Sequence, residues 1–262
     1  MRRQVLTTLG IVALCMASYA ATFMQVKTDD GKTVSFDVDH VTEVVFDTTS
    51  SDHEYVDLGL PSGTLWATCN IGATKPEEFG DYFAWGETEP KEVYDWSTYK
   101  WCGGSAISMT KYCTNDNYGN VDNKKKLEAE DDAAIANWGS EWRMPTSEEQ
   151  KELVEECYMV WTDNYNGSYI SGIVFYKAKK SDEKNKFVGC WDTPSSDYSM
   201  NDVHAFFPSS DNILDSNVCY WSSSLYDYDS YALSVMQDEG AVWKSMDHRF
   251  KGHFIRAVRS KK

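Results

Sequence analysis

The five histidines, His40, His53, His204, His248 and His253, include no pair at the helical spacing with an intervening glutamate that a zinc protease requires. His248 and His253 flank the basic segment Arg249-Phe250-Lys251-Gly252, which reads as surface rather than as a cation site. Trp221-Ser222-Ser223-Ser224 offers hydroxyls, but no G-x-S-x-G elbow surrounds them and no histidine and acid can be assigned to them. They read as a core tryptophan followed by serines that hydrogen-bond a strand end or turn. No catalytic residue is therefore assigned, and a non-enzymatic role is expected.

Oxygen-rich chemistry is better represented. Asp116, Asn120, Asp122 and Glu128 fall in one loop, with Asp131 and Asp132 following at a helix start. Such ligands suit calcium, although the spacing is not that of an EF-hand, and the other reading is a solvated loop with helix capping. Tyr226-Asp227-Tyr228-Asp229-Ser230-Tyr231 is the strongest candidate for ligand contact, with Trp243 expected on the adjacent strand. Tyrosine supplies rigid amphipathic area and its acidic and hydroxyl neighbours supply hydrogen bonds. The competing reading is that these rings only cover a loop.

The elements that must position these residues are short. Positions 24–28 and 34–38 alternate apolar and polar around Asp30-Gly31, a hairpin signal, and Val44-Val45-Phe46 makes a third short run. Residues 47–53 are polar and aperiodic, a linker. Beyond it turn residues are frequent. A helix is expected over about 128–137, with Gly139 closing it. A second begins at Thr146, which forms a capping box with Glu149 and sets Leu153, Val154, Cys157 and Val160 on one face. Strands are expected at 173–176, 204–207, 231–236, 241–243 and 254–258.

At the N-terminus, Met1-Arg2-Arg3, an apolar run to Met16 and Ser18-Tyr19-Ala20 form a secretory signal cleaved after Ala20. Cys15 admits a lipoprotein signal, but Leu14 stands where a small residue is required. No later stretch is long and apolar enough for a membrane span, so membrane insertion is not expected. Export leaves about 240 residues, which suits one large domain, or one domain and a small appendage. The formal charge of −16 becomes −18 when Arg2 and Arg3 leave, which disfavours nucleic acid and anionic membranes as partners. Hydrophobic residues at 42% suit a folded core, and 10 Trp with 16 Tyr point to one built from large rings. Six cysteines remain after cleavage: Cys69, Cys102, Cys113, Cys157, Cys190 and Cys219. Cys102 and Cys113 flank the turn-like Gly103-Gly104 and are expected to bridge.

Five stretches, in order, resemble one family. They are Val56 through Asn70 (VDLGLPSGTLWATCN), Phe79 through Thr88 (FGDYFAWGET), Trp142-Arg143-Met144-Pro145-Thr146, Tyr220-Trp221-Ser222-Ser223-Ser224 and Ile255-Arg256-Ala257-Val258-Arg259. Together they are similar to the Fibrobacter succinogenes major paralogous domain of exported Bacteroidetes proteins, over roughly residues 54–260. The resemblance implies an α+β, C-type-lectin-like fold: two helices, small antiparallel sheets and long loops, preceded here by a short β-hairpin module. With the readings above, the chain divides into a signal peptide (1–20), hairpin module (21–46), linker (47–53) and main domain (54–262). Asp47-Thr48-Thr49 resembles the O-glycosylation signal of these bacteria. The chain departs from the family at the charged stretch 177–186, at Cys190-Trp191, and at Ser209-Ser210 after Phe206-Phe207-Pro208. By this resemblance the C-terminal loops are the place for a ligand. The expected function is a secreted or outer-surface module binding a glycan or protein without catalysis. The alternative is an envelope or fimbrial component that assembles through its N-terminal strands.

Overall fold

The computed structural model of the chain describes residues 23–27, 33–38, 53–209 and 218–261. The expected signal peptide, Cys15, the Asp30-Gly31 turn, the third run at 44–46 and residues 47–52 of the expected linker lie outside the described residues. The chain divides into two compact units, Met1–Ser50 and Ser51–Lys262.

In the first unit β1 (Phe23–Lys27) pairs antiparallel with β2 (Thr33–Asp37), from Phe23 opposite Asp37 to Lys27 opposite Thr33. Alternation of apolar and polar side chains has the period of a strand, which is why this segment pairs as it does.

The second unit is α+β, with two α-helices among small sheets. β3 (Tyr55–Val56), β4 (Thr64–Ala67) and β12 (Val258–Ser260) form one sheet, with β4 central and wholly buried. β5 (Cys157–Thr162), β6 (Gly172–Lys177), β7 (Lys186–Val188) and β8 (His204–Pro208) form a second in the order β7-β5-β6-β8. β7 runs parallel to β5, so this sheet is mixed rather than antiparallel throughout. The connection 178–185 leaves β6 and passes the Cys157 end of β5, so β7 lies on the far side of β5, antiparallel to β6 and parallel to β5. β9 (Val218–Leu225), β10 (Tyr231–Gln237) and β11 (Val242–His248) form the third, antiparallel sheet, with β10 in the middle.

α2 (Ser147–Glu156) starts as its sequence predicts. The Thr146 hydroxyl accepts from the Glu149 N–H, and the Glu149 carboxylate accepts from the Thr146 N–H. The helix stops earlier than expected, at Glu156, and Cys157 and Val160 lie in β5 instead. The expected helix at 128–137 is broken. A 3-10 turn covers Ala129–Asp131, Asp132 is extended, and α1 spans Ala133–Trp138. The Asp132 carboxylate forces the break by accepting from Ala134 N, Ile135 N and the distant Met144 N. Of residues 254–257 only Phe254 makes an isolated bridge, to Tyr220, and the regular strand begins at Val258. Among the described residues no helix is long and apolar enough to cross a membrane.

The core is built from rings. Trp66, Trp85 and Trp221 are fully buried. Trp85 Nε1 donates to the Ser222 carbonyl at 2.8 Å and Trp221 Nε1 to the Phe83 carbonyl at 2.9 Å, so these indoles lock the 83–85 segment onto β9. Two of the serines after Trp221 brace the fold with their hydroxyls, Ser222 Oγ donating to the Leu233 carbonyl and Ser224 Oγ accepting from Ser147 N at the start of α2, whereas the buried Ser223 hydroxyl has no hydrogen-bond partner among the described residues.

Candidate functional site: an aromatic strip

β9 and β10 are joined by residues 226–230, and β11 runs out at His248 directly opposite Tyr231. The connection folds tightly: Tyr226 N donates to the Tyr231 carbonyl and Tyr231 N to the Tyr228 carbonyl. Tyr226 and Tyr228 lie ring to ring at 5.7 Å, and Tyr228 is 57% exposed. Tyr231 packs on His248 at 4.1 Å, His248 stacks with Phe250 at 5.5 Å, and Trp96 meets both His248 (5.5 Å) and Phe250 (4.7 Å) edge to face. Tyr231, His248, Phe250 and Trp96 are half-buried. They form a strip of contiguous rings along one end of the β10–β11 pair.

Two buried ions fix its base. Asp229 is fully buried, and its carboxylate accepts from Thr114 N and Asn115 N and from the Thr114 hydroxyl, each at 2.8 Å. Arg249, between His248 and Phe250, is equally buried. Its guanidinium donates to the carbonyls of Asp229, Tyr112 and Lys111 and to Tyr99 Oη, and lies 4.9 Å from the Trp85 ring. Spreading one cation over several carbonyl dipoles satisfies its donors without a neighbouring carboxylate. The loops at 226–231 and 111–115 are thereby bolted together beneath the rings.

The backbone of this connection thus brings Tyr226, Tyr228 and Tyr231 near one another, with Asp227 exposed between the first two. It does not gather Asp229, which points inward, or Trp243. Trp243 pairs with Met236, five residues along β10 from Tyr231, roughly 17 Å away at strand rise. Trp96, His248 and Phe250 are the members that sequence reasoning missed. His248 and Phe250 sit two apart at a strand end, which is a legible signal. Trp96 arrives from a loop with no periodicity.

The oxygen-rich loop is differently employed. Asp116 and Asn120 are exposed. Asp122 accepts from the backbone N–H groups of Tyr112, Cys113 and Lys124. Burial pushes its carboxyl up, but those donors outweigh it and hold it below the usual range. Tyr112 is kept at a φ of 57°, unfavourable for an aromatic residue, by this contact and by its hydroxyl donating to Asp131 at 2.6 Å. Glu128 groups with Glu130 and Asp131 close enough to hold an ion. The Lys111 ammonium stands among them, 2.6 Å from Glu128, 3.3 Å from Glu130 and 2.6 Å from Asp131. Lys111 and Lys124 hold the Glu128 carboxyl down at about 2.

The expected bridge between Cys102 and Cys113 is not formed, and the six cysteines among the described residues are thiols. Cys102 Sγ donates to the Trp96 carbonyl at 3.1 Å, and the buried Cys113 Sγ donates to the Asn115 carbonyl at 3.2 Å. Each thiol has its own acceptor because the chain between them folds back, with Met109 bridged to both Cys102 and Gly119. Gly119 allows that approach: a Cβ there would fall 2.2 Å from the Met109 carbonyl oxygen. Burial pushes the Cys113 thiol up, and the Cys157 thiol to about 12.

The chain matches no family model, no curated protein and no solved structure.

Proposed function

We propose that this is an exported, non-catalytic binding module that engages a glycan or a protein through the aromatic strip of Tyr231, His248, Phe250 and Trp96 together with the neighbouring pair Tyr226 and Tyr228. The observation that carries the reading is the pairing of partly exposed rings with a rigid base. Rings offer apolar faces for stacking on a sugar or for anchoring a side chain. Arg249 and Asp229 hold the supporting loops in place, so little ordering entropy is lost on binding. The five motifs support membership of the Fibrobacter succinogenes major paralogous domain and a C-type-lectin-like form of the α+β unit. The leader at 1–20 supports a secreted or outer-surface location. Probing a glycan and protein array with the folded chain tests the proposal: saturable binding that Tyr228→Ala weakens by about tenfold or more sustains it.

A second reading rests on the hairpin. β1 and β2 form a two-stranded sheet with no third strand among the described residues, and Gln25, Val34 and Ser35 are exposed. A two-stranded sheet is marginal alone and offers edges for strand addition. In this reading the chain is an assembly component, and deleting 21–46 abolishes incorporation while leaving array binding intact.

A further inference from the structure

Beside the aromatic strip three chemically different donors converge. Cys219 Sγ, a carboxylate oxygen of Asp247 and a ring nitrogen of His253 all lie within 4.8 Å of one another. They come from β9, from β11 and from the segment after the turn that follows β11. The turn is closed by Lys251 N donating to the His248 carbonyl. Phe254 N then donates to the Cys219 carbonyl, and Trp221 N to the Phe254 carbonyl, which seats residue 253 alongside β9. His253 is further fixed by reciprocal backbone bonds with Phe83, at 3.1 and 3.0 Å, and by its ring lying 4.5 Å from that of Trp221. Asp247 is oriented by His248 N, which donates to its Oδ1 at 2.7 Å.

We infer that Cys219, Asp247 and His253 form a binding site for a borderline-soft divalent cation of the zinc class. The donor set is sulfur, nitrogen and oxygen, which zinc takes and which calcium and magnesium do not. In a tetrahedral zinc site such donors stand about 3.3–3.7 Å apart, so the three need close by only about 1 Å. Asp247 Oδ2 and His253 Nε2 are already 3.1 Å apart. Deprotonated Cys219 and Asp247 balance the ion's two charges, with the thiol proton passing to solvent. The fourth coordination position is left for water or for a donor atom of a ligand.

Access favours an ion over a larger reactant. Cys219 is only 4% exposed, whereas the side chains of Asp247 and His253 are 16% and 13% exposed and open a path for an ion. Lys251 Nζ lies 3.1 Å from Asp247 Oδ2, but its side chain is 48% exposed and so readily displaced. The Glu128 cluster differs here, because Lys111 is enclosed within it at 16% exposure.

Cobalt titration of the reduced full chain tests the site, since a thiolate ligand gives an intense sulfur-to-metal charge-transfer band. One equivalent is expected to produce that band. Cys219→Ser is expected to abolish it, and His253→Gln to weaken binding by about tenfold or more. Lys251→Gln, which removes the competing ammonium, is expected to tighten binding. Zinc is expected to raise the melting temperature of the wild type and not that of His253→Gln, a half-buried substitution that keeps the test valid if Cys219→Ser folds poorly. No charge-transfer band in the wild type, or a band that His253→Gln leaves unchanged, overturns the inference. These readouts need no glycan or protein ligand, so failure of the site is distinct from failure of the proposed function.

Discussion

Arg249 donates to the backbone carbonyl of Asp229 at 2.9 Å while the Asp229 carboxylate turns away to cap Thr114 and Asn115. The two buried ions therefore do not form a salt bridge. Each is satisfied by backbone groups and one hydroxyl, and each ties the 226–231 connection to the 111–115 loop. Two charges used this way fix loops that few regular elements would otherwise hold.

Asp229→Ala is expected to cost about 2–4 kcal/mol, because it orphans two backbone N–H groups and a hydroxyl. Urea unfolding measures the loss, and amide exchange at Thr114 and Asn115 locates it. Asp227→Ala, on the exposed neighbour, is expected to stay within about 0.5 kcal/mol of wild type. Equal costs at the two positions would contradict the burial of Asp229.

Lys111→Met is expected to destabilise the chain by about 1–3 kcal/mol, since Glu128, Glu130 and buried Asp131 lose their shared cation. The vacated carboxylates should then accept calcium. Calcium is expected to raise the melting temperature of Lys111→Met and leave that of the wild type unchanged. A calcium-dependent rise in the wild type would show that an ion enters despite the ammonium.

Stability is expected to fall with acid in a defined window. The folded Glu128 carboxyl titrates at about 2, below its ordinary 4.5. Between those values the unfolded chain binds the extra proton, so stability is whole above about pH 4.5 and is lost as pH drops toward 2. Urea midpoints measured from pH 5 to 2 should decline less steeply for Glu128→Gln than for wild type. An identical decline would remove Glu128 from the acid response.

Local patterns were legible in the sequence where neighbours along the chain decide the outcome. Thr146 and Glu149 announce the start of α2 because both halves of the box lie within one turn. The break at Asp132 was not legible, since Met144 N, twelve positions away, completes the carboxylate's set of donors. In the Tyr-Asp-Tyr-Asp pattern, Asp227 and Asp229 are chemically the same, and only the arrival of Thr114 and Asn115 sends one inward. Trp243 lies on the neighbouring strand, as its sequence context indicates, but its position along that strand depends on a register that composition does not encode. Trp96 joins the strip through a long loop, where no periodicity points to its contacts with His248 and Phe250.

The aromatic strip is most directly tested by measuring the affinity of wild type, Tyr228→Ala, Trp96→Ala and Trp243→Ala for the strongest ligand found on the array. Tyr228→Ala and Trp96→Ala are expected to weaken binding by about tenfold or more with the far-ultraviolet circular dichroism unchanged, and Trp243→Ala to bind as wild type. Loss of binding confined to Trp243→Ala, or binding indifferent to both Tyr228 and Trp96, would contradict the strip as the ligand surface.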